Sequence, residues 1–403
     1  MRAEMIYLDW AASAPPEPEA IEAARDASLM HFANPSSPHG AGRQAGEMLE
    51  QMRGRFARTL GVAPREIIFT SGGTESNTAV LLSLLDRHRL GGVQLQKSRI
   101  VTTEIEHASV YEQARVLQAH GVSRTAVAPR ADGIVDPQAL ADALDEDTLM
   151  VSVMLVNNET GAIQPLAEIA RAVREFSARR GRKILLHTDA VQALGKIPFS
   201  LTELGVDAAS FSAHKTGGVR GTGALWLRSG ASPGFLSAGG GQEGGRRPGT
   251  ENLAGICALT IAAEKRFAAM EQNTKAAQEN ERRLIDGLQE IRGAWIVPAA
   301  RVNSGSRYSP YIVAAGFPPL PAEVVVRMAD GRGICISTGS ACSSKKKDRT
   351  RVPESMGLSP ETALSVIRIS TGPATTMADI EALLSALRED IPPLLSITRG
   401  RGA

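Results

Sequence analysis

Ala208-Ala209-Ser210-Phe211-Ser212-Ala213-His214-Lys215 reads as a short strand that ends on polar side chains. Small and aromatic residues through Phe211 suit a strand covered on both faces, as parallel strands are. Ser212, His214 and Lys215 then fall at its carboxyl end, the edge where open α/β sheets bind their ligands. Lys215 is the candidate amine for a Schiff base, a role that needs desolvation or nearby cations to lower its pKa. The plain alternative is a solvated lysine at a strand end.

Outward from that stretch, further strands are predicted at residues 66–70, 99–103, 150–156, 184–188 and 224–227, several apolar on both faces. Helices separate them. Ala45, Met48, Leu49, Met52, Phe56 and Leu60 form one apolar stripe, and Leu166, Ile169, Ala170, Val173 and Phe176 form another. The alternation predicts an α/β fold with a mostly parallel sheet wrapped by helices. At residues 239–249 the pattern gives way to glycine and arginine, after which Leu253, Ile256, Thr260, Ala263 and Phe267 predict a buried helix leading out. A charged helix through Leu284, Leu288 and Ile291 and shorter strands near 311–315 and 365–369 follow. The expected division is a large domain at 16–262 and a smaller α+β domain made of 1–15 and 263–403.

The chain has 403 residues, 43% hydrophobic and 22% charged, enough for more than one core. A net charge of +2 gives no reason to expect a nucleic-acid or anionic-membrane partner. Cysteines 257, 335 and 342 are too few for a disulfide framework and fit a reducing, cytoplasmic setting. Residues 1–10 carry acids and no long apolar run, unlike a secretory signal, and no stretch is long enough to span a membrane. No metal-ligand spacing is evident.

Four other strand ends carry chemistry. Ser71-Gly72-Gly73-Thr74-Glu75-Ser76-Asn77 joins a strand to a helix, and its glycines and helix start can cradle a phosphate, with Thr74 adding a hydroxyl. The same run also reads as an ordinary capped turn. Asp189, in His187-Thr188-Asp189-Ala190-Val191-Gln192, can keep a pyridine nitrogen protonated, or simply cap the next element; Gln192 can hydrogen-bond a ring hydroxyl. His107 can stack on an aromatic cofactor or carry protons, and Asn158 is placed to touch a ring or substrate. A phosphate site, an amine, a pyridinium acid and a stacking ring are together what a pyridoxal-phosphate pocket needs. Cys342 lies in Ser337-Thr338-Gly339-Ser340-Ala341-Cys342-Ser343-Ser344, ahead of Lys345-Lys346-Lys347, whose charge favours a thiolate. It is the candidate nucleophile, against the alternative of an inconsequential loop thiol; Cys257 and Cys335, in apolar runs, read as core residues.

Over nearly its whole length the sequence resembles the cysteine desulfurases, class-V aminotransferase relatives with the fold-type I architecture of pyridoxal-phosphate enzymes. The resemblance rests on Tyr7-Leu8-Asp9, Asn34-Pro35-Ser36-Ser37-Pro38-His39, the 71–77 turn, Glu106-His107, 156–161, 189–192, 212–215, 239–252 and the Cys342 loop. It implies that Gly73, Thr74, Ser212 and His214 meet the cofactor phosphate, that His107 stacks on the ring, and that Asp189, Gln192 and Asn158 complete the cradle around Lys215. It further implies that Thr250 reaches the neighbouring subunit's phosphate in a homodimer. Arg368 would hold the carboxylate of L-cysteine, with Asn158 and Asn34 on the substrate side. Lys215 and His107 would handle protons, and Cys342 would take the sulfur as a persulfide. Alanine would leave, and an acceptor protein, an iron–sulfur scaffold or a sulfur carrier, would collect the sulfur.

The sequence departs from the family pattern at Trp10, commonly asparagine and in an arm expected to approach the substrate, and at Thr216-Gly217-Gly218-Val219, Pro248, Pro373 and the triple lysine. These departures leave a selenocysteine lyase or another class-V enzyme as alternatives. A degenerate sulfur-carrier-binding scaffold is the reading of another class.

Overall fold

The structure, a computed structural model, describes residues 5–231, 238–303, 305–339 and 350–400. Its main feature is a seven-stranded sheet in the order Ile67–Thr70, Gly223–Leu227, Ala208–Ser212, Leu185–Asp189, Thr148–Ser152, Arg99–Thr103, Ser123–Val127. Only Gly223–Leu227 runs against its neighbours. The six other strands share one direction and bring their carboxyl ends to one edge.

Strand alternation explains the two cores. Ile67, Phe69, Val101, Ala209, Phe211 and Trp226 face one side, where the helices Gly40–Leu60, Leu166–Arg180 and Leu253–Ala268 cover them. Ile68, Ile100, Ala208, Leu225 and Leu227 face the other, beneath Gly73–Arg89 and Ala108–Ala119. Both predicted stripes turn inward: Ala45, Leu49, Met52, Phe56 and Leu60 are buried, as are Leu166, Ile169, Ala170 and Val173.

The predicted strand at 150–156 begins earlier and ends sooner, at Thr148–Ser152. Its polypeptide nevertheless stays in register, since the N–H of Val153 donates to the His187 carbonyl (3.1 Å) and that of Leu155 to the Asp189 carbonyl (2.9 Å). Ser123–Val127 was not expected as a strand. It is the sheet's outer edge, paired on one side, and its Ser123, Arg124 and Thr125 do not need to be apolar there.

A second, antiparallel sheet has the order Ser337–Thr338, Val366–Ser370, Ile312–Gly316, Trp295–Val297. Helices Met270–Gln289, Ala322–Gly331 and Met377–Gly400 accompany it, and its apolar core includes Leu284, Leu288, Val313, Phe317, Ile367, Ile369, Leu384 and Leu387. The amino-terminal arm joins this region: Ile6–Tyr7 pairs in parallel with Ile334–Cys335. Ser370 then clasps the arm, its N–H donating to the Leu8 carbonyl (2.8 Å) and its Oγ accepting the Ala11 N–H (2.9 Å).

Candidate active site

Five same-sense strands deliver their carboxyl ends to one cleft, which encloses about 1040 Å³ with its open mouth included. Gly73, Thr74, His107, Asn158, Asp189, Gln192, Ser212, His214, Lys215 and Arg368 all line it.

At one end, the helix Gly73–Arg89 starts after Gly72 with no capping side chain, so its first N–H groups are not satisfied within the chain's own turn. The turn before it is held by side chains, Glu75 on the Ser71 N–H and Thr70 on the Gly72 N–H, and the helix start beyond can seat an anion. Gly72 has φ 155°, and a Cβ on Gly73 would lie 2.7 Å from Cγ2 of Val191, so the close packing that forms the seat needs glycine. Glu75 stiffens it from the rim, accepting the Ser71 N–H (2.6 Å) and pairing with Arg247 (3.0 Å).

The Asp189 carboxylate uses both oxygens. Oδ1 accepts the Val191 N–H (3.0 Å), which is the turn role, and Oδ2 accepts from Asn77 Nδ2 (2.7 Å). Below it, His187 shares hydrogen bonds with the hydroxyls of Ser152 (2.8 Å) and Ser210 (3.0 Å); burial pulls its pKa down to about 3, so it is neutral.

His107 caps the helix Ala108–Ala119, Nδ1 accepting the Ser109 N–H (3.2 Å), which fixes the ring at the cleft wall. Burial lowers its pKa, with Asp189 opposing and Lys215 and Arg351 adding to the fall. His214, beside the Ser13 hydroxyl (3.1 Å), is lowered to about 4, chiefly by burial and then by Lys215. Lys215 Nζ donates to the carbonyls of Ala11 and Ala12, each at 2.7 Å.

On the opposite wall Arg368 comes from the small sheet. Nη2 donates to Asp9 Oδ1 (2.8 Å), Nη1 donates to the carbonyls of Asn158 (3.0 Å) and Gly339 (3.3 Å), and buried Nε has no partner among the described residues. Asn157 shapes the turn in front of it, Oδ1 accepting the N–H groups of Glu159 (3.0 Å) and Thr160 (2.9 Å).

Two expected residues lie elsewhere in this single chain. Asn34 is exposed and its Oδ1 accepts the Ser36 N–H (2.9 Å); Thr250 is exposed, and neither lines the cleft. Cys342 and the triple lysine lie outside the described residues. Cys257 is buried, and burial raises its pKa to about 11, whereas Cys335 is only partly buried, on a two-residue strand rather than in the core. The arm carrying Trp10 approaches the cleft as expected, through Ala11 and Ala12. The Trp10 ring lines a smaller space beside Lys215 together with Thr216, Arg266, Gly372 and Pro373, so that three departures from the family pattern meet at one place. A Cβ on Gly372 would fall 2.2 Å from the indole, and the Arg266 guanidinium lies 5.5 Å from the ring centre.

The cleft also holds residues that pattern reading passed over: Glu106, Glu159 and Arg351. Burial raises the Glu106 carboxyl to about 8 and Glu159 to about 7. Each has one buried oxygen without a partner among the described residues. An acid next to His107 at a buried strand end was a visible signal for Glu106. Arg351 offered none: it follows the cysteine loop, and only folding brings it to the carbonyls of Glu104 and Glu106 and over the Tyr111 ring at 4.4 Å.

An anion seat, a buried acid, a flat imidazole and an amine around one cleft define the class, an enzyme built for a phosphorylated aromatic cofactor. The model of the aminotransferase class-V family matches residues 6–383, and the chain belongs to that family. It is 34% identical to cysteine desulfurase IscS of Dictyoglomus turgidum over 98% of this chain and 96% of the relative. It is 35% identical to cysteine desulfurase 1 of Trichormus variabilis, over 98% and 94%. Among solved structures it is similar to a NifS-like protein (33% identity, 98% and 100% coverage, TM-score 0.87). A second is the NifS-like protein of Rickettsia africae (30%, 97% and 100%, TM-score 0.83). The family's cofactor is pyridoxal phosphate, and the uncapped helix start, the Asn77-held carboxylate and the Lys215 amine are the donor set that this group requires.

Proposed function

We propose that the protein is a cysteine desulfurase that converts L-cysteine to L-alanine and passes the sulfur to an acceptor protein. The observation that supports this most is that Lys215, Asp189, His107 and the uncapped helix start line the same cleft as the buried Arg368. Gly73, Thr74, Ser212 and His214 would hold the cofactor's phosphate, His107 would cover the ring, Asp189 would pair with its nitrogen, and Gln192 and Asn158 would border it. Bound there, pyridoxal phosphate supplies an electron-withdrawing ring that stabilises negative charge at the substrate Cα.

Lys215 anchors the cofactor at rest. Its Nζ is the base placed to take the substrate Cα proton. Arg368 holds the substrate carboxylate, a task suited to a planar guanidinium. The Cys342 thiolate bonds to the substrate sulfur as the carbon–sulfur bond breaks. This leaves a persulfide on Cys342, and protonation of the three-carbon remainder, with His107 as carrier, gives alanine.

The working unit is a homodimer in which Thr250, exposed and away from its own cleft, completes the partner's phosphate seat. The acceptor is an iron–sulfur scaffold or sulfur carrier in the cytoplasm. Alanine and sulfide release from cysteine test the reading. Lys215→Ala should not turn over, while Cys342→Ala should keep the cofactor's visible absorbance yet form no persulfide. Wild-type desulfuration by Cys342→Ala would remove the thiol from the mechanism.

A further inference from the structure

Among the described residues, Lys196 is an amine near the cleft that the proposed chemistry leaves idle. It follows Gly195 in the turn after Gln192, and its Nζ donates to Gln192 Oε1 at 2.6 Å. Gln192 Nε2 in turn donates to the Ala11 carbonyl (2.9 Å), which also accepts from Lys215 Nζ (2.7 Å). Two lysines are thus joined through one amide and one carbonyl. An ammonium or amine N–H donating to the amide oxygen fixes which way Gln192 points, leaving only N–H to offer to the cleft side.

The surroundings are short of negative charge. Arg266 and Arg368 act on Lys196 together with Lys215, and His107 and His214 also feel Lys215. The nearby carboxylates are engaged elsewhere: Glu17 with Arg266 (2.8 Å), Asp9 with Arg368 (2.8 Å) and Asp189 with Asn77 (2.7 Å).

We propose that Lys196 is a positioning residue for Lys215: by donating to Gln192 Oε1 it turns the Gln192 N–H onto the Ala11 carbonyl, the same oxygen that receives the reactive amine. A carbonyl that already accepts the Gln192 N–H stabilises an ammonium on Lys215 less, and a neutral Nζ is what both cofactor attachment and proton removal need. The pKa of Lys196 is itself driven well down, first by burial and then by Lys215, as expected for two amines that compete for protons in one enclosed place.

This rests on Lys215 being the cofactor-holding amine, yet it is testable without turnover. Competitive acetylation of the cofactor-free protein with acetic anhydride, read at single lysines by peptide mass spectrometry from about pH 6 to about pH 11, gives each amine's titration. Lys196→Met should raise the apparent pKa of Lys215 by about one unit, reducing its labelling about tenfold on the low-pH limb. Lys196→Arg, which keeps charge and donor, should restore most of the wild-type profile. A Lys215 profile in Lys196→Met that overlays the wild type overturns the proposal. Wild-type protein gives a second check if the methionine variant does not fold: Lys196 must titrate below the exposed lysines, and titration with them also overturns it. Absence of alanine release from cysteine would instead sink the proposed reaction and leave these profiles standing.

Discussion

The carboxyl edge of the seven-stranded sheet and the interior of the four-stranded sheet are both buried, but with opposite chemistry. Thr103, Ser152, His187, Asp189, Ser210 and Ser212 sit at the first with 5% exposure or less. The second is apolar, from Leu284 to Leu387, and among the described residues of its strands the buried polar side chains are Ser337, Arg368 and Ser370. Burying polar groups costs stability unless each is satisfied. The large sheet bears that cost where ligands bind, while the small sheet supplies packing and one cation. Catalysis and stability should accordingly fail at different places.

The strongest way to break that contrast is Asp189→Asn. The amide can still accept from Asn77 but brings no charge to a ring nitrogen, so kcat should fall by about 10²-fold or more with little change in the denaturation midpoint. A large loss of stability instead would mean that the carboxylate serves mainly the fold. The reciprocal substitution is Leu384→Ala. Leu384 packs so closely on the helix Met270–Gln289 that a Cβ on Gly287 would lie 2.4 Å from its Cδ1. Truncation should cost about 2–5 kcal/mol in urea unfolding while kcat under stabilising conditions stays near wild type.

The smallest effect sharpens the comparison rather than testing it outright. Burial raises the Glu159 carboxyl from 4.5 to about 7, so the native state keeps a proton that the unfolded chain releases. The associated stability is complete below about pH 4.5 and is lost as pH rises through about 7. Glu159→Gln removes that titration. Its midpoint relative to wild type should therefore improve between about pH 5 and about pH 8, by about 2 kcal/mol or less; a difference that stays flat with pH would place the charge change elsewhere.

Much of this was legible because function sits where backbone direction changes. A polar run after an apolar strand, such as Ser212-Ala213-His214-Lys215 or Asp189-Ala190-Val191-Gln192, carries its meaning locally, and the structure puts these runs on one cleft. Arg351 depends on distant partners at Glu104, Glu106 and Tyr111, which no spacing reveals. Where the Trp10 ring packs depends likewise on a distant residue, since Gly372 leaves it room that a Cβ would fill. The strand Ser123–Val127 escaped because an edge strand lacks the two-sided apolar signal.

The Ser370 clasp has a consequence for synthesis on the ribosome. The carbonyls that receive Lys215 belong to residues 11 and 12, but the arm bearing them is held by a strand 359 residues further along the chain. The seven-stranded sheet can assemble while translation continues. The clasp on the arm is complete only once the strand carrying Ser370 has also been made, so the cleft is finished later than the sheet that forms most of it.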